Sequence, residues 1–348
     1  MVVHCTADRV PFQCRGLFLP SKGRLGGVFK YLIGRMLYSF KQKSQDFIVE
    51  EVLPFKLAGE GDAFFVYFEK RNLNTMDVVN HLCKEFGISR LTLGIAGLKD
   101  KNAITRQWIS IYKSALKKIG GENAFVNALS EVARVIKTDW HEKPIGMTDK
   151  ISNMFYIRLR ANQAIGLKDK ENIQKRVTEL LEKGFPNFFG DQRFGINFQN
   201  INMGRDLIEG KLKIRENFEA KFKLQAYASH LFNEYLKEKL KGALAHGGKD
   251  LPITEGETGP IFGYDNKLSP AGTVAAKREI AFMKQYKIGK EFFAMYEKYH
   301  IFGLRRLLRV CPKDILFRFQ GDDILLQFAL PGGTYASILV DELLKITK

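Results

Sequence analysis

Two stretches carry residue types that could do chemistry. The first is Gly97-Leu98-Lys99-Asp100-Lys101-Asn102, with Arg106 a few positions on. Cations around Asp100 favour its charged form, and an ionised aspartate on a rigid turn can act as a nucleophile or a base. The second is Pro186-Asn187-Phe188-Phe189-Gly190-Asp191-Gln192-Arg193-Phe194-Gly195. Aromatic faces stack on an unstacked base and an amide reads its polar edge, so this loop suits base handling. Each stretch also has a plainer reading. Lys-Asp-Lys-Asn is ordinary turn chemistry, and the second loop could be a turn with buried phenylalanines.

The surrounding pattern says what must hold these residues. The apolar run Leu91–Ala96 reads as a buried strand, Gly97 breaks it, and Thr105–Tyr112 returns as a second strand. Asp100 is then expected at the tip of a strand-turn-strand. Ala63–Lys70 is rich in aromatic and β-branched side chains and is expected to pair antiparallel with Phe47–Val52. Asn74-Thr75 opens a helix whose inner face carries Met76, Val79, Leu82, Cys83 and Phe86, and Gly87 ends it. Further helices are expected at 124–134 and 169–183, and strands at 153–160 and 323–330. From 213 to 300 the chain turns helical, with Phe218, Phe222, Ala226, Ser229, Phe232, Tyr235 and Leu236 near one stripe and His230 on the helix surface. Gly242–Pro260 reads as a glycine-rich linker, and helices are expected at 274–287, 290–300 and 338–344.

The chain has 348 residues, with 55 Lys and Arg against 38 Asp and Glu, a formal net charge of +17. That excess points to a polyanionic partner, nucleic acid first. No apolar run approaches the length of a membrane-spanning helix, so no membrane association is expected. Cys5, Cys14, Cys83 and Cys311 form no CxxC pair, and there is no HExxH. No metal site is expected, and the cysteine pattern suits a reducing cytoplasm. Residues 1–35 are basic, with Asp8 the sole acid, and show no sustained period. They are expected to be an upstream extension or a misassigned start, poorly ordered and dispensable for activity.

Gly97-Leu98-Lys99-Asp100-Lys101-Asn102-Ala103-Ile104-Thr105-Arg106-Gln107-Trp108 closely resembles the signature of the TruD family of tRNA pseudouridine synthases. Further motifs match in order. Lys41 precedes Asp46-Phe47-Ile48-Val49-Glu50-Glu51, which is similar to the family's Asp-Phe-x-Val-x-Glu element. Asn187 to Gly195 resembles Asn-Tyr-Phe-Gly-x-Gln-Arg-Phe-Gly, with Phe188 where tyrosine is common. Gln225–Asn233, Gly259–Gly263 and Pro331–Ser337 also look familial. Pro144–Asp149 departs from the family's basic, glycine-containing stretch. The resemblance covers roughly residues 36–348.

What the resemblance implies is specific. The fold would be α+β: a pseudouridine-synthase-like catalytic domain with a mixed, mainly antiparallel sheet flanked by helices, plus an inserted, mainly helical domain. Residues 36–212 and 301–348 would form the first and 213–300 the second. Asp100 would be the catalytic aspartate and Lys41 the lysine that orients it and keeps it charged. Phe47 would be the motif phenylalanine, grouped with the base and RNA contacts. Asn187 and Phe189 would line the base pocket, Phe189 stacking on the target, and Arg193 would meet phosphate. The reaction would isomerise uridine to pseudouridine in tRNA, at uridine 13, with other RNAs open as substrates. It needs no cofactor and no obligate protein partner. Whether Asp100 attacks the sugar or the pyrimidine is left open. Lys41 is expected to hold Asp100 charged in a site that excludes water, so Lys41→Ala should damage both folding and activity. Two rivals remain at this point: an RNA-binding module without turnover, and a hydrolase pairing Asp100 with Asp191 or Glu50.

Overall fold

A computed structural model describes residues 37–146, 149, 151–245, 253 and 256–345. The expectation for residues 1–35 lies outside the described residues, as does most of the expected linker between 246 and 255. The chain divides into two compact units. One runs up to Leu181 and takes in Pro312–Gly333 and the chain from Leu343; the other is Glu182–Cys311 with Thr334–Glu342.

Among the described residues, the first unit is built on a nine-stranded sheet. Its main path runs Lys313–Gln320, Asp323–Pro331, Ser152–Ala161, Phe47–Val52, Ile104–Tyr112, Ala63–Arg71, Arg134–His141. Phe47–Val52 and Ile104–Tyr112 run parallel; the other pairs along the path are antiparallel. The mixed, mainly antiparallel sheet is the α+β architecture expected from the sequence. The expected pairing of Phe47–Val52 with Ala63–Lys70 does not form, because Ile104–Tyr112 lies between them. That strand is buried along almost its whole length, as a strand covered on both faces must be. Alternation tells which face a side chain takes, not which strand lies beside it.

One face of the sheet packs Phe64, Val66, Phe68, Ile109 and Ile111 against helices Thr75–Phe86 and Gly121–Ser130. The first helix starts as expected. Asn74 and Asp77 form a reciprocal capping box, and Gly87 ends the helix at φ 62°. The end strands Arg134–His141 and Lys313–Gln320 were not legible. Both carry exposed charges, Arg134 and Lys137 on one and Lys313, Asp314 and Arg318 on the other, as edge strands do, and neither shows a long apolar run.

The second unit gathers helices Gln199–Ile208, Val274–Gln285 and Lys290–Lys298 around Asn217–Ala245. Leu224, Leu231, Phe232, Phe262, Phe282 and Tyr296 form its centre. The long helix is buried on more than the expected stripe: Ala220, Leu224 and Leu231 are inside while Phe218 is exposed. The strand Thr258–Ile261 pairs with Leu304–Leu307, and Phe185–Pro186 pairs with Arg309–Val310. These two ribbons make the unit wider than residues 213–300. They tie the loop after Lys183 and the segment up to Cys311 to the helices, and most of Ala336–Leu343 joins them.

Candidate active site

Within the first unit, Leu93–Gly94 pairs with Ser110–Ile111, and residues 95–103 form a loop between them. The expected strand Leu91–Ala96 shrinks to two residues. Leu91 sits in a 3-10 turn and is 95% exposed, so the apolar run is not all core. Asp100 therefore lies on a wide loop rather than at a tight hairpin tip.

Lys41 is the cation that meets the Asp100 carboxylate, with Nζ 2.5 Å from Oδ2. The two side chains are 23% and 40% exposed, so the carboxylate keeps a face open to a ligand. Lys41 has φ +58°, a left-handed conformation that non-glycine residues rarely take and that often marks a functional position. Its ammonium lies 3.8 Å above the centre of the Phe47 ring, a cation–π contact. Phe47 is buried and held by the rings of Phe40 and Phe155. Grouped by the sequence with the base contacts, Phe47 is placed as a platform under Lys41. The start of its strand is anchored by Asp46, whose two oxygens accept from Arg160 at 2.9 Å each.

Lys99 and Arg106 are committed elsewhere. Lys99 pairs with the buried Glu51, whose second oxygen accepts from the Trp108 amide at 2.9 Å. Arg106 bridges Glu50 and Glu69. Burial pushes the Glu69 carboxyl up, but hydrogen bonds from Arg106 and Arg71 outweigh it and hold the group below its usual range. The picture of Asp100 ringed by Lys99 and Arg106 is thus corrected: among the described residues, Lys41 is the side chain that meets its carboxylate.

The loop is also pinned through its main chain. Lys70 Nζ donates to the carbonyl oxygens of Leu73 at 2.6 Å and Asp100 at 3.0 Å. The Lys99 amide donates to the Thr75 hydroxyl at 3.0 Å, which donates to Gln107 Oε1 at 2.9 Å. Sequence reasoning missed Lys70, Glu51, Thr75 and Gln107. A signal for Lys70 was present: Phe64, Val66, Phe68 and Lys70 share one face of their strand by the period of two.

In the second unit, Asn187 is buried and both ends of its side-chain amide are engaged. Its amide nitrogen Nδ2 donates to the Leu307 carbonyl at 2.9 Å, and Oδ1 accepts from Arg306 at 2.6 Å. Phe189 is held by Asn233, which accepts from its N–H at 2.8 Å and donates to its carbonyl at 2.9 Å. The ring stands edge-on to Phe232 and Tyr335, and the Arg306 guanidinium lies 4.1 Å over its face. Gly190 allows this packing, since a Cβ there would come 2.9 Å from the Tyr335 ring. Arg193 donates to Ser229 at 3.3 Å and Gln225 at 3.4 Å, both neutral. Burial lowers the pKa of Arg193 and pulls that of Arg306 down to about 10. Sequence reasoning did not single out Arg306. His230, expected on the helix surface, is half-buried and its pKa is lowered by that burial.

Among the described residues, no group of three His, Cys, Asp or Glu side chains could hold a metal ion, and no helix is long and apolar enough to cross a membrane. The sequence model of the family described as tRNA pseudouridine synthase D (TruD) matches residues 34–218 and 255–343. A tRNA pseudouridine synthase D from a Nitratiruptor species is 35% identical over 355 residues, covering 88% of this chain and 94% of its own. Another, from Photobacterium profundum, is 31% identical over 330 residues, covering 87% and 90%. A crystal structure from Methanosarcina mazei, described as a putative tRNA pseudouridine synthase D, shares the fold. Its TM-score is 0.58 at 19% identity over 90% of this chain and 94% of its own. The matched motifs, the sheet and the long sequence relationship lead to one conclusion: the chain belongs to the TruD family.

Proposed function

We propose that the protein isomerises uridine to pseudouridine in tRNA, with uridine 13 as the target and the Asp100 carboxylate as nucleophile. The observation that carries this reading is the ion pair of Lys41 with a half-exposed Asp100, set over the Phe47 ring within the family signature. A fixed cation holds the carboxylate in one orientation before substrate arrives, so little reorganisation is needed at reaction. The reaction breaks the bond from the sugar C1′ to N1, turns the base, and joins C1′ to C5. The proton on C5 leaves and N1 gains one, so the product is an isomer and no cofactor is required. A base must leave its stack to react, costing a few kcal/mol that stacking and hydrogen bonds return.

Phe189 is assigned the stacking role, supported by its anchored main chain and by the Arg306 charge on its ring. Arg193 is assigned a phosphate, supported by a guanidinium whose hydrogen-bond partners among the described residues are the neutral Ser229 and Gln225. Asn187, with its amide engaged by Arg306 and Leu307, is assigned to shaping this loop. Residues 213–300 are read as the family's insertion, lying inside the larger second unit, and the catalytic domain as 36–212 with 301–348. The net charge of +17 supports phosphate binding that weakens with salt, and a cytoplasmic location fits the substrate.

The test is to map pseudouridines in total RNA from cells with and without the protein. Loss of one modified tRNA position, at uridine 13, is expected. An unchanged map, with the purified protein still binding tRNA, would favour a binding module instead.

A further inference from the structure

The Asp100 loop is held by two lysines in different ways. Lys41 meets the carboxylate; Lys70 meets the main chain. Lys70 is 1% exposed and sits opposite Thr105 in the strand register. Its hydrocarbon stem continues the apolar face of Phe64, Val66 and Phe68, and its ammonium turns up under the loop. A buried ammonium is costly unless its donors are used. Here they reach two carbonyls far apart in the sequence, Leu73 before the helix Thr75–Phe86 and Asp100 itself.

We propose that Lys70 is a positioning residue for the reaction: its charged amine fixes the Asp100 main chain, and so the direction in which the carboxylate points. The inference rests on the reading of Asp100 as the reacting group. Lys41 holds the carboxylate group alone, from a side chain that is 23% exposed. Lys70 grips the residue at its backbone, from a rigid strand, below the loop. The hydrogen bond from the Lys99 N–H to the Thr75 hydroxyl adds a second fixed point one residue away.

The charged groups that face Lys70 are Asp100 and Lys99 from the loop and Asp77 from the helix. Burial pulls its pKa down to about 8, against the raising influence of Asp100, and Lys99 lowers it further. The ammonium is therefore charged at neutral pH and loses its charge a little above it. A neutral amine keeps two N–H donors but holds carbonyls less strongly. The loop should slacken, and the rate should fall, as pH rises through about 8.

The experiment measures single-turnover pseudouridine formation on tRNA from about pH 6.5 to 9.5, across the range where the amine loses its proton, with tRNA binding measured in parallel. Three full-length proteins are compared: wild type, Lys70→Met and Lys70→Arg. A misplaced reacting group costs about 10²-fold in rate, and that loss is expected for Lys70→Met near neutral pH with tRNA affinity within about threefold of wild type. Wild type should lose rate above about pH 8. Lys70→Arg, whose side chain stays charged throughout, should keep activity and lack that alkaline fall. A structural role alone would lower the active fraction without moving the profile. The proposal is overturned if Lys70→Arg keeps the wild-type alkaline fall, or if Lys70→Met reacts within about threefold of wild type. Should Lys70→Met fail to fold, the Lys70→Arg profile still decides. Wild type forming no pseudouridine at any pH would instead refute the functional reading itself.

Discussion

The Asp100 loop and the Asn187–Gly195 loop solve the same problem, holding irregular backbone still, with different chemistry. The first uses ammonium groups against oxygens: Lys41 on the carboxylate, Lys70 on the main chain, Lys99 on Glu51. The second uses arginine and amides against rings and carbonyls: Arg306 on Phe189 and Asn187, Asn233 on the Phe189 backbone. A loop organised by opposite charges leaves one carboxylate reachable and primed. A loop organised by planar groups fixes a shape and a flat face. On the proposed function the first loop would carry bond chemistry and the second recognition, which says which property each substitution should disturb.

The largest effect on stability should come from Glu51→Gln. Removing one member of the buried Lys99–Glu51 pair should cost about 3–5 kcal/mol in urea unfolding, since Glu51 is fully buried. A loss below about 1 kcal/mol would mean the charge network under the Asp100 loop is not what holds it. Lys41→Met should behave oppositely. Its pair with Asp100 is partly exposed, so stability should fall by less than about 1 kcal/mol. The expectation of damaged folding is thereby corrected to a catalytic one. Losing a preorganised charge should slow single-turnover reaction by about 10²-fold. Equal losses in stability and rate would erase the contrast.

Arg306→Met should sharpen the comparison from the other side. It strips Asn187 Oδ1 of its donor inside the second unit, at a cost of about 2 kcal/mol. Its signature should be weaker tRNA binding with the single-turnover rate at saturating tRNA little changed. A rate defect without a binding defect would place chemistry on the wrong loop. The smallest effect concerns pH. Lys70 has a folded value of about 8 against the ordinary 10.5, so between these the unfolded chain holds more protons. Its contribution to stability should therefore rise with pH, by about 1 kcal/mol between about pH 8 and 9. Wild type measured against Lys70→Met by urea unfolding reports this directly. Stability rising while rate falls would separate holding the fold from holding the loop.

Much of this was legible in the residues. The capping residues Asn74 and Gly87, the apolar spacing of 169–183 and the strand Asp323–Leu330 all have local causes, and they formed where expected. So did the meeting of Lys41 with Asp100, through the resemblance of two motifs. What failed was non-local. No pattern in Phe47–Val52 could say that Ile104–Tyr112 would lie beside it in parallel. Leu91 looked like core because its neighbours are apolar, yet it faces solvent. Lys70 looked like the polar end of a strand, though its alternation with Phe68 placed it inside. Arg306 lies in the basic run 304–309, where nothing local says that the Thr258–Ile261 pairing would turn it onto Phe189.

The central claim is that the Asp100 carboxylate does the chemistry while binding is supplied elsewhere. Asp100→Asn keeps the size of the side chain and removes its charge. Tritium release from C5-labelled uridine in tRNA should be lost for this protein, by at least about 10³-fold, while filter retention of tRNA stays within about threefold of wild type. Release at the wild-type rate would contradict the account.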